Sequence, residues 1–230
     1  AKMKRILFCL IAMPVAFVLV TSANAALITR GTGISTHGTF NLIYDTDLDL
    51  TWYDFTNAGD LWNNQADWAG ALSVDFGGDT YDDWRLPSTV DGSTVWSYDG
   101  TTTYGYNVTN SEMGHLYYTE LGNKGYFATD GTFPQPGWGL LNTGDFQNLI
   151  AASYWSGTAV AGSPGWYWNP MLADGGQLTF HWSGTFYGLA VRDGDVGVVP
   201  EPATITLLGI GLVGLAGATA RRRQKKVKYQ

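Results

Sequence analysis

Cysteine occurs once in this 230-residue chain, as Cys9 inside an apolar run near the start. From Ala26 onward the chain therefore has no disulfide, thiolate metal site or cysteine nucleophile, and its stability has to come from a packed core. Basic residues are the second shortage. The chain has 13 in all, but Lys2, Lys4 and Arg5 precede the early apolar run and six more crowd the last ten positions. Between Ala26 and Pro200 only Arg30, Arg85, Lys124 and Arg192 remain, against nineteen acids, a formal charge of −15. A surface of that sign repels phosphate polymers, which excludes nucleic acid as a partner and favours solubility. Glutamate is scarce as well: Glu112 and Glu120 are the two in that stretch. No Gly-x-Ser-x-Gly, His-Glu-x-x-His or phosphate-binding glycine loop occurs, so the common hydrolase and nucleotide signatures are missing.

Aromatic and glycine residues are plentiful, with ten tryptophans and 30 glycines. About 175 residues suffice for one domain that buries roughly 70% of its unfolded surface, and the large rings supply much of the apolar area. At the N-terminal side, the apolar run Ile6 to Val20 leads into Thr21-Ser22-Ala23-Asn24-Ala25-Ala26. Basic, apolar and small-residue segments in that order read as a secretory signal peptide over residues 1–25, with Ala23-x-Ala25 as its cleavage pattern. At the other end, Pro200-Glu201-Pro202 precedes 18 uncharged residues, Ala203 to Ala220, and then Arg221, Arg222, Arg223, Lys225, Lys226 and Lys228. As a helix the run would reach about 27 Å, enough to cross the hydrocarbon of a bilayer, and the basic cluster would stay on the cytoplasmic side. The prolines stop a helix from running back into the domain and leave an extended segment that a protease can grip.

Pro-Glu-Pro, a short apolar helix and an Arg cluster closely resemble the PEP-CTERM sorting signal of Gram-negative bacteria, here over residues 199–230. The resemblance implies exosortase as a partner, a membrane-embedded cysteine protease thought to cut near Pro200-Glu201-Pro202. It also implies a transient stay at the inner membrane, then a place at the cell surface or outside the cell. An uncut tail anchor is the alternative.

Within residues 26–198 the patterns are short. Phe40 to Tyr44 and Leu48 to Trp52 alternate around Asp45-Thr46-Asp47 and predict a hairpin. A helix is expected from about Asn64 to Val74, stopped by Gly77-Gly78. A second is expected from Thr109 to Gly122, with Thr109 as its cap and Glu112 reaching back. Tyr154 to Thr158, Trp166 to Leu172, Gln177 to Trp182 and Phe186 to Arg192 read as strands separated by glycine turns. Ser88 to Asn107 and Asn123 to Gly144 are too rich in glycine and aromatics for flexible linkers, and ordered surface loops are expected there.

Leu50-Thr51-Trp52, Tyr81-Asp82-Asp83-Trp84-Arg85-Leu86-Pro87, Ser111-Glu112-Met113-Gly114-His115-Leu116, Tyr154-Trp155-Ser156-Gly157-Thr158 and Leu189-Ala190-Val191-Arg192 resemble successive motifs of the Lcl C-terminal domain. That domain also ends a collagen-like bacterial adhesin. Its relation to the C-type lectin-like fold implies an α+β architecture, two helices flanking a twisted antiparallel sheet with long ordered loops. Trp84, Leu86 and Trp155 are then core residues, and Arg85 is a paired charge that locks loops together.

The candidate sites are few. Asp45, Asp47 and Asp49 begin like a calcium loop, but Leu50 stands where the EF-hand glycine belongs and Thr56 where its glutamate belongs. A calcium-stiffened turn and a plain hairpin turn both stay open. His37, His115 and His181 lack metal-ligand spacing, and Glu112 and Glu120 read as a solvated helix face. Glu-Pro-Asn and Trp-Asn-Asp, the calcium-dependent sugar-binding triplets of C-type lectins, are absent. Trp138, Trp166, Trp168 and Trp182 are the candidate stacking platforms for a sugar. The chain thus reads as an exported, non-enzymatic module that binds polysaccharide or another surface component. A polysaccharide hydrolase and a purely structural envelope protein are the alternatives.

Overall fold

The computed structural model describes residues 27–197. The signal peptide, Pro200-Glu201-Pro202, the apolar run and the basic cluster lie outside them. Among the described residues no helix is long and apolar enough to cross a membrane.

The alternation around Asp45 makes the predicted hairpin, β2 (Gly38–Asp45) and β3 (Leu50–Asp60), with β1 (Leu27–Ser35) and β10 (Phe186–Asp193) on its flanks. With β4 (Val74–Phe76) and β5 (Asp79–Tyr81) these form a six-stranded antiparallel sheet ordered β10-β3-β2-β1-β4-β5. Successive side chains leave a strand on opposite faces, and here both faces are covered. Leu42, Tyr53 and Ala190 form one cross-strand row, Ile43, Trp52 and Val191 the next, and each row enters a different core. Helix α1 (Trp62–Gly70), Leu72, Trp84 and Trp155 cover the first face. The second is covered by the short helix α2 (Glu112–Gly114), the π-helical turn that continues it over His115–Glu120, and Phe146, Tyr154 and Leu172. The result is a mostly sheet α+β fold with two short helices.

A smaller sheet, ordered β6-β7-β9-β8, joins β6 (Trp96–Ser97), β7 (Tyr104–Gly105), β8 (Trp166–Met171) and β9 (Gly176–His181). Residues 154–158, expected to be a strand, make no regular ladder. Their N–H groups alternate between partners: Tyr154 donates to Pro170 of β8, Trp155 to Tyr187 of β10, and Ser156 to Trp168 of β8. The segment is therefore the seam between the two sheets. Its alternation reflects two half-partners on opposite sides rather than one neighbouring strand.

Three other boundaries differ from the sequence expectation. The first helix ends at Gly70, and Val74 to Phe76 becomes β4, so Gly77 and Gly78, at φ 66° and 102°, turn a hairpin instead of stopping a helix. The second helix is capped by Ser111, whose Oγ accepts the N–H of Gly114, and not by Thr109. Strand β1 was not foreseen because its glycines hide the alternation. A Cβ at Gly33 would overlap Val74 and Leu42.

A buried carboxylate pins the loop beneath the sheet. Asp54 accepts the N–H groups of Gln147 (2.8 Å) and Asn148 (3.0 Å), and burial raises its pKa despite those bonds. For an acid with a raised folded pKa, the contribution is full below the unfolded pKa and is lost as pH rises through the folded one. Each unit of upward shift is worth about 1.4 kcal/mol. Asp54→Asn should remove this slope: its stability relative to the parent protein rises as pH increases from the ordinary Asp range, about 3.9, through the raised folded pKa, as read from denaturant midpoints.

Candidate functional site

The two long loops meet at the β6 edge of the small sheet and expose a connected row of rings. Trp138 packs edge-on against Tyr126 (5.1 Å between centroids), and Tyr126 contacts Phe127 and Phe133. Phe127 reaches Trp96 (5.4 Å), which contacts Tyr98. Trp96, Phe133 and Trp138 are 46%, 59% and 41% exposed, which is unusual for large rings in a continuous set. The backbone beneath them is tied: Gln135 N–H donates to Tyr126 O, Gly139 N–H to Lys124 O, and the Asn107 amide donates to both Tyr98 O and Phe127 O. The platform is thus preorganised, and no ring has to be ordered by a ligand.

The four tryptophans named from sequence separate. Trp138 belongs to this row. Trp166 and Trp182 are exposed at the far end of β8 and β9, grouped with His181. Trp168 is no platform: it is fully buried, and its indole N–H donates to Asp91 (3.0 Å). Two residues apart in β8, it shares a face with Trp166, which is exposed at the start of the strand while Trp168 is covered. Trp96, Tyr98 and Phe133 were missed as site residues. Their signal was the aromatic density of the two loops, which sequence could not fold onto one surface.

Three arginines serve as internal clamps. Arg85 holds Glu112 with both ends of its guanidinium and also Asp193 (2.6 Å), while Glu112 accepts the N–H of Ser88 as well. The Glu112 bonds hold the guanidinium pKa above its usual value. This is the loop lock expected of Arg85, and it means that Glu112 lies on no solvated face. Arg192 pairs with Asp83, and Arg30 with Asp195. Beside the Arg85 lock, Trp62, Ala66, Trp84, Leu86 and Thr158 line an open groove of about 300 Å³.

Asp45, Asp47 and Asp49 are not gathered around one point. Asp45 Oδ1 accepts the N–H groups of Asp47 and Leu48, both at 3.1 Å, so protein donors stiffen the turn, and Asp49 accepts the Tyr44 hydroxyl (2.8 Å). Asp45 instead lies with His115 and Glu120 of the π-helical turn: one ligand atom from each falls within 4.8 Å of the others. His115 Nε2 is 2.9 Å from Glu120 and 4.0 Å from Asp47. Burial raises the pKa of both Asp45 and Glu120. Glu120 is therefore also turned inward, contrary to the solvated face expected for it.

A family profile described as the PEP-CTERM protein-sorting motif matches residues 198–223. No curated protein and no solved structure matches the chain. The motif defines the chain as an exported surface protein, anchored transiently at the membrane and processed by exosortase.

Proposed function

We propose that the domain is a non-enzymatic carbohydrate-binding module of the cell surface or extracellular matrix, released there after exosortase cuts near Pro200-Glu201-Pro202. The observation that carries the reading is the exposed, rigidly backed row of Trp96, Tyr98, Phe133 and Trp138. Flat apolar rings offer stacking faces to the C–H surfaces of sugars, and fixed rings lose little entropy on binding. The acidic surface disfavours polyanions, so a neutral polysaccharide fits best. Kinship with the Lcl C-terminal and C-type lectin-like domains is part of the proposal. It is supported by the core positions of Trp84, Leu86 and Trp155 and by the Arg85 lock, which joins the second and third of the matching motifs to Asp193, the residue after the last one.

The glutamates favour binding over hydrolysis, since Glu112 is committed to Arg85 and Ser88 and Glu120 to His115. In a retention assay on exopolysaccharide isolated from the producing cells, Phe133→Ala and Trp138→Ala should each weaken binding several-fold, or about 1 kcal/mol per lost ring contact. Trp166→Ala should leave it unchanged. Equal retention of all variants, or none by the parent protein, would remove the basis for this reading.

A further inference from the structure

We propose that Asp45, His115 and Glu120, with Asp47 at the rim, form a binding site for a divalent first-row transition ion of the zinc class. Asp45 is wholly buried. Its Oδ1 is occupied by the two turn N–H groups, but its Oδ2 has no hydrogen-bond partner. The Trp52 indole N–H is the neighbouring donor and is close enough to favour the Asp45 carboxylate, but it falls short of hydrogen-bond geometry, so Oδ2 lacks a full partner. An unpartnered carboxylate oxygen in the interior costs free energy unless something positive meets it, and this one lies beside an imidazole nitrogen and a second carboxylate.

The π-helical turn creates the pairing. His115 and Glu120 are five residues apart, which an α-helix would set about 140° apart around its axis. The wider turn, marked by the Leu121 N–H donating to Leu116 O, brings them to one side. Bonds of about 2.0–2.2 Å to nitrogen and oxygen require ligand atoms roughly 3.3–3.6 Å apart in a tetrahedral site. The present spacing, within 4.8 Å, needs a contraction of about an ångström together with opening of the 2.9 Å His115–Glu120 contact. An imidazole donor favours zinc, copper, iron or nickel over calcium, which prefers six to eight oxygens.

The ion would tie the β2–β3 turn to the second helix, on the sheet row Leu27, Asp45, Leu50 and Asp193 where β1 begins and β10 ends. In a domain without disulfides that is a substitute cross-link.

The test uses the full chain purified in detergent, stripped with chelator and titrated with zinc chloride. One zinc per chain and a raised melting temperature are expected, with His115→Gln and Glu120→Gln each weakening the affinity at least tenfold and Asp49→Asn leaving it intact. X-ray absorption of the zinc-loaded protein should show only nitrogen and oxygen donors, at about 2.0–2.1 Å. Zinc binding that survives His115→Gln would assign the metal to another histidine. No zinc binding, or stabilisation by calcium chloride alone, would overturn the site.

Discussion

Trp155→Ala should destabilise the domain by about 3–5 kcal/mol, the range for truncating a large buried ring. Trp155 is fully buried, packs edge-on against Phe186 at 4.8 Å, and donates its indole N–H to Asp60 O at 3.0 Å. Its own N–H completes the seam to β10 at Tyr187. Alanine would leave a cavity where the two sheets meet and orphan a buried carbonyl, and the seam cannot collapse without breaking its alternating hydrogen bonds. In a domain of this size that corresponds to a fall in melting temperature of roughly 6–20 °C, measurable by calorimetry. Trp166→Ala, at an exposed position in the smaller sheet beside the seam, should stay within about 0.5 kcal/mol of the parent. Equal losses from the two substitutions would show that the seam is not where stability is concentrated.

Neutralising Arg221, Arg222 and Arg223 should weaken retention of the chain at the inner membrane and impair cutting, although Lys225, Lys226 and Lys228 still oppose passage. Each Arg opposes passage through the bilayer centre by about 2.5–3.5 kcal/mol, so the three together remove about 8–10 kcal/mol of retention. Mass spectrometry of the exported parent protein should find an N-terminus at or near Ala26 and a C-terminus ahead of the apolar run, with no peptides between Leu207 and Arg221. In the neutralised variant, protein retaining those residues should accumulate outside the membrane. The fold bears on this step. Arg30 of β1 grips Asp195, and Gly194 N–H donates to Asp49 O, so the chain leaves the domain beside its own first strand. Full-length protein ending at Gln230, recovered from the surface of cells that make exosortase, would contradict the whole route.

Local chemistry was legible where neighbours in sequence do the work. The β2–β3 hairpin, the late strands β8 to β10 and the ordering of the long loops follow from alternation, turn residues and aromatic density. The burial of Trp84, Leu86 and Trp155 is what the resemblance to the Lcl C-terminal motifs implied, and the pairing of Arg85 follows from a lone guanidinium in an acidic chain. What failed had distant partners. Residues 154–158 alternate like a strand but answer to two sheets, and Trp166 and Trp168 lie on one face of β8, so only the tertiary covering decides that the first is exposed and the second buried. Glu112 carries a capping-box spacing, yet Arg85, 27 positions away, takes its carboxylate.

By itself, the sequence determined the sorting chemistry: Pro200-Glu201-Pro202, an uncharged run and a basic cluster act through hydropathy and charge order, which need no tertiary neighbours. It also set the acidic, cysteine-free character of the exported part. Only the tertiary structure decided which rings share a surface and which carboxylates face an imidazole. Trp96 and Trp138 are brought together by loops whose paths depend on Asn107 and Gln135, and Asp45 meets His115 and Glu120 because a π-helical turn packs over a hairpin turn 70 residues earlier in the chain. Those juxtapositions rest on long-range packing and on a departure from α-helical pitch, neither of which leaves a periodic trace in the sequence.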